Sequence, residues 1–132
     1  MQRIFFHTEN PNIRDLKEVA ARINNGEIVI FPTDTIYALG CLMTNKQGIE
    51  RICRITNKKE KQAKMSLICK DISSIAQFTP QISNDVFRTM KRYLPGPYTF
   101  ILRSNNYVQN FFKNNREEIG VRIPENKILE GL

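Results

Sequence analysis

Short apolar runs alternate along this chain with segments whose apolar residues recur at the spacing of one helix face. Five runs are predicted strands: residues 4–6, 28–31, 65–69, 98–102 and 119–123. The second and third runs are continuous, as in strands buried on both faces. The last run alternates with Gly120 and Arg122, so it has one apolar face. Strands separated by helices favour an α/β fold or an α+β sheet with helices packed on it.

Polar residues that cap helices precede the segments of helical spacing. Asn10 followed by Pro11 predicts the start of a helix that carries Ile13 to Ile23 and ends at Gly26. A short helix is also expected from Val108, Phe111 and Phe112. Three further helices are expected to be capped by Thr44 or Asn45, by Asp71 and by Ser83. The start of a last helix is expected over residues 126–132.

The length of 132 residues corresponds to one domain, and 41% hydrophobic with 25% charged residues excludes a disordered or collagen-like chain. No apolar run approaches the roughly 18 residues of a membrane span, and the N-terminal apolar stretch is too short for a signal peptide. We therefore expect a cytoplasmic protein. The last predicted helix stops almost at once, which suggests that the domain, residues 1–132, lacks its C-terminal part. A sheet with an exposed edge would favour a homodimer.

Three cysteines and one histidine limit the metal chemistry of the chain. Cys41, Cys53 and Cys69 are too far apart in sequence for a Cys-x-x-Cys motif, and His7 is the only histidine. A zinc site would require all four to converge, so no metal site is predicted. The odd cysteine count argues against a disulfide-stapled secreted domain.

Positive charge is concentrated in one stretch of the chain. The net charge is +7, and residues 51–70 contain seven cations against Glu60 alone. Part of this stretch lies between a helix and a strand, so we expect a loop that neutralises phosphates of a nucleotide or of RNA. The alternative is a solvated charge run. The candidate RNA-binding residues are Arg54, Lys58, Lys59, Lys61 and Lys64.

The segment Pro32–Gly40 follows a predicted strand directly, which is where α/β proteins place ligand sites. Thr33, Thr35 and Tyr37 offer hydroxyl groups and Asp34 a carboxylate within five positions. These groups can orient a polar substrate by hydrogen bonds. The alternative is a tight turn in which Thr33 and Asp34 bond to nearby backbone.

Two further segments could contribute to a site. Pro95–Thr99 is a stiff turn leading into a strand, and a purely structural turn is the alternative. Gly120–Pro124 places Arg122 on the polar side of its strand, where a guanidinium can bind a carboxylate or phosphate. The alternative is a surface arginine. The sequence contains no dinucleotide-binding glycine motif, no Walker-type loop and no Ser-His-Asp arrangement.

In their order and spacing these segments resemble the YrdC/YciO family of YrdC-like domains, and the YciO branch in particular. The family pattern Pro-Thr-(Asp/Glu)-Thr-x-Tyr-x-Leu-Gly matches Pro32–Gly40, Pro-Gly-Pro-x-Thr matches Pro95–Thr99, and Gly-x-Arg-x-Pro matches Gly120–Pro124. The resemblance implies an α/β fold with a twisted mixed parallel and antiparallel sheet, flanking helices and a basic concave face.

The resemblance also implies two kinds of function. Some members are L-threonylcarbamoyladenylate synthases, nucleotidyltransferases that join threonine, bicarbonate and ATP in tRNA modification, with Mg²⁺ as the accompanying ion and no tightly bound cofactor. Others are described as binding double-stranded RNA or tRNA. By motif position, the residues of the substrate and nucleotide pocket would be Thr33, Thr35, Tyr37, Lys58, Lys61, Thr99 and Arg122. Catalytic residues stay unassigned.

Three departures from the synthase pattern favour RNA binding over synthase activity. The Lys-x-Arg-Pro element is replaced by residues 56–61, which contain neither arginine nor proline. Asn126 stands where the synthases usually have histidine, and the later Ser-x-Asn motif is absent. We therefore expect binding of double-stranded RNA or tRNA through the basic concave surface. Synthase activity and an inactive truncated fragment are the alternatives.

Overall fold

A computed structural model of the protein describes residues 2–58, 65–109 and 117–132. Within these ranges helices and strands alternate, as the sequence pattern predicts. The helices are α1 (Ile13–Asn24), α2 (Lys46–Ile55), α3 (Ile72–Ile75), α4 (Asn84–Tyr93), α5 (Asn106–Gln109) and α6 (Lys127–Gly131). The strands are β1 (Val29–Pro32), β2 (Tyr37–Gly40), β3 (Ser66–Ile68), β4 (Phe100–Arg103) and β5 (Glu118–Arg122).

The prediction of a strand at residues 4–6 is wrong. These residues form no regular secondary structure, and no described strand pairs with them. The side chain of Phe5 is exposed. A strand of three residues needs a neighbouring strand to satisfy its backbone, so apolar composition alone does not define one here.

Helix α1 begins two residues later than predicted, because its N-cap is Asn12 and not Asn10. The side-chain Oδ1 of Asn12 accepts hydrogen bonds from the backbone N–H groups of Arg14 at 2.8 Å and Asp15 at 3.4 Å. The end of the helix agrees with the prediction. Gly26 follows it with a φ of 97°, a conformation that glycine adopts without strain.

Strands β1 and β2 form an antiparallel hairpin, with Val29 opposite Gly40. The Phe31 ring lies against Gly40, where an added Cβ would be 2.7 Å from Phe31 Cε1. The prediction that residues 28–31 are buried on both faces is wrong, since Ile30 is 60% exposed. Among the described strands β1 pairs with β2 alone, so this two-stranded sheet buries only one face.

The other three strands form a mixed sheet in the order β3–β5–β4. Strand β3 runs parallel to β5, with Ile68 opposite Arg122, and β4 runs antiparallel to β5. This arrangement confirms the predicted mixed sheet. Strand β3 buries Leu67 and exposes Ile68, so the run at residues 65–69 is buried on one face and not on both.

The core lies on one face of this sheet. Ile119 and Val121 on β5 are fully buried, and α3, α4 and α5 cover them with Ile75, Met90 and Val108. Because side chains alternate along a strand, Gly120 and Arg122 lie on the opposite face. The prediction of one apolar face for this strand is confirmed.

Four helix starts agree with the sequence prediction. Asn45, Asp71, Ser83 and Asn126 each accept a hydrogen bond from a backbone N–H in the first turn of their helix. The helix predicted from Val108 is present as α5, whereas Phe111 and Phe112 lie outside the described residues. In the described part of the chain, no helix has both the length and the apolar character needed to cross a bilayer.

The elements form two packed groups. Helices α2 and α6 pack on the β1–β2 hairpin, and α1 packs on α6. Helices α3 to α5 pack on the three-stranded sheet. Strand β5 continues into α6 through residues 123–126, so this segment passes from the sheet to the hairpin group. Leu16 on α1 lies against Gly131 on α6, which holds the end of the described chain in place.

The variants Ile119→Ala and Ile101→Ala remove the same atoms from opposite faces of the sheet. We expect Ile119→Ala to lower the free energy of unfolding by about 2–5 kcal/mol, because a fully buried side chain leaves a cavity. Ile101 is 69% exposed, so Ile101→Ala should lower the free energy of unfolding by less than about 1 kcal/mol. Urea denaturation measures both values. Equal losses would contradict the assignment of the two faces.

Candidate functional site

The turn between β1 and β2 is held by the hydroxyl group of Thr33. Thr33 Oγ1 donates to the carbonyl of Ile36 at 2.6 Å and accepts from the backbone N–H of Thr35 at 3.1 Å. It also lies 3.1 Å from Thr35 Oγ1, so the two threonine hydroxyls form one polar cluster. The local turn that the sequence left open as an alternative is therefore present at Thr33. Asp34 does not take part in these local bonds.

Asp34 instead reaches the central strand of the other sheet. Arg122 Nη2 donates to Asp34 Oδ1 at 2.6 Å, between residues 88 positions apart. The Arg122 side chain is 18% exposed and the Asp34 side chain is 11% exposed, so the ion pair is largely shielded from solvent. Arg122 Nη2 also donates to Thr35 Oγ1 at 3.3 Å. A charge-assisted hydrogen bond thus joins the hairpin turn to β5.

The segment after β5 completes this junction. The backbone N–H of Glu125 donates to Asp34 Oδ2 at 3.1 Å, so both carboxylate oxygens of Asp34 have a partner. Asn126 Nδ2 donates weakly to the Thr33 carbonyl at 3.5 Å, while Asn126 Oδ1 caps α6. Asn126 therefore connects the turn and the last helix.

Arg122 keeps hydrogen-bonding capacity that the described residues do not use. Its Nε is buried and has no partner among them. A guanidinium offers five N–H donors in a planar fork that matches a carboxylate or a phosphate. Buried donors are nearly always paired, so this Nε is an exception among the described residues and keeps a donor for an acceptor that they do not supply.

A cleft of about 1290 Å³ lies between the hairpin and the three-stranded sheet. Its walls are mainly apolar, and Thr33, Thr99 and Arg122 line it together. Small-molecule sites are typically concave and mostly apolar, with a few polar groups that fix orientation. Arg122 stands at the carboxyl end of β5, beside the parallel strand β3, which is a common position for ligand sites in α/β sheets.

The Pro95–Thr99 turn borders this cleft, since both of its end residues line it. The backbone N–H of Gly96 donates to the Ile123 carbonyl at 2.9 Å, which ties the turn to the end of β5. Thr99 lies over Gly120, where an added Cβ would be 3.1 Å from Thr99 Cγ2. The absence of a side chain at Gly120 thus lets Thr99 lie close to the strand that carries Arg122.

The other predicted site residues lie elsewhere or outside the described structure. Tyr37 is 72% exposed and does not line the cleft. Arg54 and Lys58 are exposed at and just beyond the end of α2, and they do not line it either. The remaining members of the basic loop, Lys59, Lys61 and Lys64, lie outside the described residues.

The pairing of Asp34 with Arg122 could not be predicted from the sequence, because their contact spans 88 positions, and Asp34 is not among the residues that line the cleft. The structure also adds two cations that the sequence analysis did not assign to the site. Lys70 and Lys91 both line the cleft. Lys70 follows Ile68 by two positions, and Ile68 lies opposite Arg122. The sequence position of Lys70 therefore points to the cleft only once the register of β3 and β5 is known.

The cysteines at the cleft do not have the properties of nucleophiles. Burial raises the pKa of the Cys69 thiol to about 11, and the nearby carboxylate of Asp71 adds to this shift. Burial also raises the pKa of the Cys41 thiol. Both groups are therefore protonated at neutral pH. Within residues 2–58, 65–109 and 117–132, no group of three or more His, Cys, Asp or Glu side chains could hold a metal ion.

A double-mutant cycle on Asp34 and Arg122 measures the strength of this junction. We expect Asp34→Ala and Arg122→Ala each to destabilise the fold by about 3 kcal/mol, because each leaves a shielded charge without its partner. The double variant should cost about 2 kcal/mol less than the sum of the two. The exposed pair Lys127–Glu9 serves as the control and should show negligible coupling. Simple additivity at Asp34 and Arg122 would contradict the ion pair.

Comparison with protein families gives a match over residues 21–132 to the model of the Sua5/YciO/YrdC family, described as "Telomere recombination". The chain is 35% identical over 132 residues to the uncharacterized protein YciO of Escherichia coli, covering 99% of this chain and 63% of YciO. It is 22% identical over 117 residues to a threonylcarbamoyl-AMP synthase of Halorhodospira halophila, covering 89% of this chain and 61% of that protein. The chain thus spans less than two thirds of the length of these relatives.

The fold agrees with solved structures of the same family. The crystal structure of E. coli YciO superposes with a TM-score of 0.87 at 35% identity, over 100% of this chain and 64% of YciO. P. abyssi Sua5, solved in complex with L-threonine, gives a TM-score of 0.82 at 23% identity, over 98% of this chain and 38% of Sua5. The match over most of the chain, together with the identity to YciO, shows that this protein belongs to the Sua5/YciO/YrdC family.

Proposed function

We propose that the cleft binds a small α-amino acid of the threonine class together with a nucleotide, as substrates of an L-threonylcarbamoyladenylate synthase. The observation that carries this proposal is Arg122, which lines the cleft. Its guanidinium is shielded and fixed by Asp34, and its Nε has no partner among the residues that the structure describes. A carboxylate is the acceptor that best matches the geometry of a guanidinium fork.

The two threonine hydroxyls support the same ligand class. Thr35 Oγ1 accepts from the guanidinium, and Thr33 Oγ1 lies 3.1 Å from Thr35 Oγ1. Thr33 lines the cleft, whereas Thr35 does not. Hydroxyl groups both donate and accept hydrogen bonds, so they can bind the polar groups of an amino acid that is held by its carboxylate. Two family members support the proposal by name: the H. halophila protein is called a threonylcarbamoyl-AMP synthase, and Sua5 was solved with L-threonine.

Lys70 and Lys91 supply charge for the nucleotide. Both line the cleft, and Lys70 follows the end of β3, whose last residue, Ile68, lies opposite Arg122. Lysine ammonium groups bind phosphates as point charges. The apolar walls offer surface to a nucleotide base, and Mg²⁺ would accompany the ATP phosphates as part of that substrate.

The proposed reaction has two steps, formation of a carbamate and transfer of the adenylyl group. The amine nitrogen of threonine attacks the carbon of bicarbonate, and water leaves to give a carbamate. A carbamate oxygen then attacks the α-phosphate of ATP, and pyrophosphate leaves. Orienting the amino acid through Arg122 would contribute by placing the nitrogen near its partner, and cations near the phosphates would stabilise the developing charge.

Calorimetric titration with L-threonine tests the proposal directly. We expect saturable binding that weakens about tenfold or more in Arg122→Lys, because lysine keeps the charge and loses the fork. Arg103→Lys is the matched control, since Arg103 is exposed at the opposite end of the sheet, paired in register with Glu118. No binding by the unsubstituted protein at millimolar threonine, or equal weakening in both variants, would contradict the proposal.

Binding of double-stranded RNA or tRNA is the second candidate. The observation that favours it is the exposure of Arg54 and Lys58, which do not line the cleft and so leave their charge available to another ligand. Clustered cations on a protein surface neutralise backbone phosphates and make binding strongly dependent on salt. A role in tRNA modification would place the protein in the cytoplasm.

A variant with Lys58, Lys59 and Lys61 all changed to Ala tests this second candidate. We expect its affinity for a tRNA duplex to fall by about tenfold or more and the salt dependence to become shallower, because fewer counterions are released on binding. A charge-matched control changes Arg14, Lys17 and Arg88, which are exposed elsewhere, to Ala. Binding that is insensitive to salt, or unaffected by the first variant, would reject RNA recognition by this loop.

A further inference from the structure

We propose that a second pocket, beside α3, binds a small uncharged aromatic compound that carries one hydrogen-bonding group. The pocket lies between α3, the loop over residues 79–82 and the N-terminal half of α4. Its volume of about 490 Å³ is within the range of about 300–1,000 Å³ that is typical of small-molecule sites. The inference does not depend on the proposed function, since it concerns a different site.

The pocket beside α3 is separate from the cleft that contains Arg122. Ile72, Ser73 and Phe87 line both of them, so the two spaces share one wall. Ala76 and residues 79–82 line the pocket and do not line the cleft. A ligand in the pocket is therefore recognised by contacts that a ligand in the cleft does not make.

The lining of this pocket carries no charge. Among the described residues, none of those that line it has an ionisable side chain, although 25% of the residues of the chain are charged. Lys70, Asp71 and Lys91 line the cleft and not the pocket. A charged ligand would lose its hydration in the pocket without gaining a counter-charge, so the lining favours an uncharged ligand.

The hydroxyl group of Thr79 supplies the hydrogen bond. Thr79 is 7% exposed, and its Oγ1 has no hydrogen-bond partner among the described residues. An unpaired buried hydroxyl carries a free-energy cost that is removed when a ligand bonds to it. Rotation about χ1 exchanges the positions of the hydroxyl and the methyl group, which lets the hydroxyl bond to a ligand in the pocket that Thr79 lines. Because a hydroxyl both donates and accepts, a donor or an acceptor on the ligand satisfies it.

The apolar part of the lining favours an aromatic ring. Phe87 on α4 is half-exposed, so its ring is available for contact with a ligand. Aromatic rings pair in offset or edge-to-face arrangements that add to the gain from apolar burial. Ile72, Ala76, Pro80 and Ile82 complete the apolar surface. The ligand class that fits is therefore a ring with one polar substituent.

Phenol, toluene and benzoate test these features, because they share one ring and differ in a hydroxyl, a methyl and a carboxylate group. Nuclear magnetic resonance follows binding at the methyl groups of Ala76 and Ile82, which line the pocket and not the cleft. We expect saturable shifts with phenol, at least about threefold weaker binding of toluene, which cannot bond to Thr79, and no saturable shift with benzoate. Equal affinities for phenol and toluene, binding of benzoate as tight as that of phenol, or no saturable shift with phenol would overturn the inference.

The variant Thr79→Val removes the hydroxyl and keeps the shape of the side chain. We expect phenol to lose its advantage over toluene and the midpoint of urea denaturation to stay unchanged or rise, because the hydroxyl has no partner to lose. Thr89→Val, at an exposed position on α4, is the matched control and should keep the preference for phenol. A lower midpoint in Thr79→Val, or a preference that survives in it, would overturn the assignment of Thr79.

The variant Ala76→Leu tests the position of the site by filling the pocket from an exposed residue. We expect the binding of phenol and of toluene each to weaken about tenfold or more, because the added side chain occupies the space of the ring. Gln77→Leu introduces the same side chain at the next position, which does not line the pocket, and should leave both affinities unchanged. Unchanged binding in Ala76→Leu, or equal weakening in both variants, would place the ligand elsewhere and overturn the inference.

Discussion

The ion pair between Asp34 and Arg122 is the interaction on which the described structure most depends. It joins the turn of a two-stranded hairpin to the central strand of a separate three-stranded sheet, across 88 positions of sequence. Shielding two charges from water carries a large desolvation cost, which is offset only when each charge has close and well-oriented partners. Here Glu125 and Thr35 supply those further partners.

The position of this pair also explains why the same residues contribute to the stability of the fold and to the candidate site. The cleft lies between the two packed groups, and the pair lies where they meet. Because the Arg122 and Asp34 side chains are 18% and 11% exposed, their charges act in surroundings of lower dielectric constant than bulk solvent. A substitution at Asp34 or Arg122 therefore affects folding and ligand binding together. This is why the control variants lie at exposed positions away from the cleft.

Local signals in the sequence predicted the local structure well. The side-chain caps at Asn45, Asp71 and Ser83, and the alternation at residues 119–123, are confirmed because each depends on neighbours within a few positions. Strand burial was predicted less well. Ile30 and Ile68 are exposed because the pairing of strands, which composition does not encode, decides which faces are covered.

The site could be predicted in its motifs but not in its contacts. Thr33, Thr99 and Arg122 line one cleft, and the motifs that contain them were recognisable in the sequence. The pairing of Asp34 with Arg122 depends on long-range packing, and the position of Lys70 in the lining of the cleft depends on the pairing of β3 with β5. Nothing in the local pattern around Asp34 distinguishes a turn-forming aspartate from the partner of a distant arginine.

The most direct test of the account follows the side-chain Nε–H of Arg122 by nuclear magnetic resonance. This Nε is buried and has no partner within the described ranges, so its proton should exchange slowly with solvent, and its resonance should shift on addition of L-threonine as the carboxylate binds. The Nε–H of exposed Arg103 should exchange rapidly and stay unchanged. An Arg122 signal that exchanges as fast as that of Arg103, or that does not move at saturating threonine, would contradict the central claim.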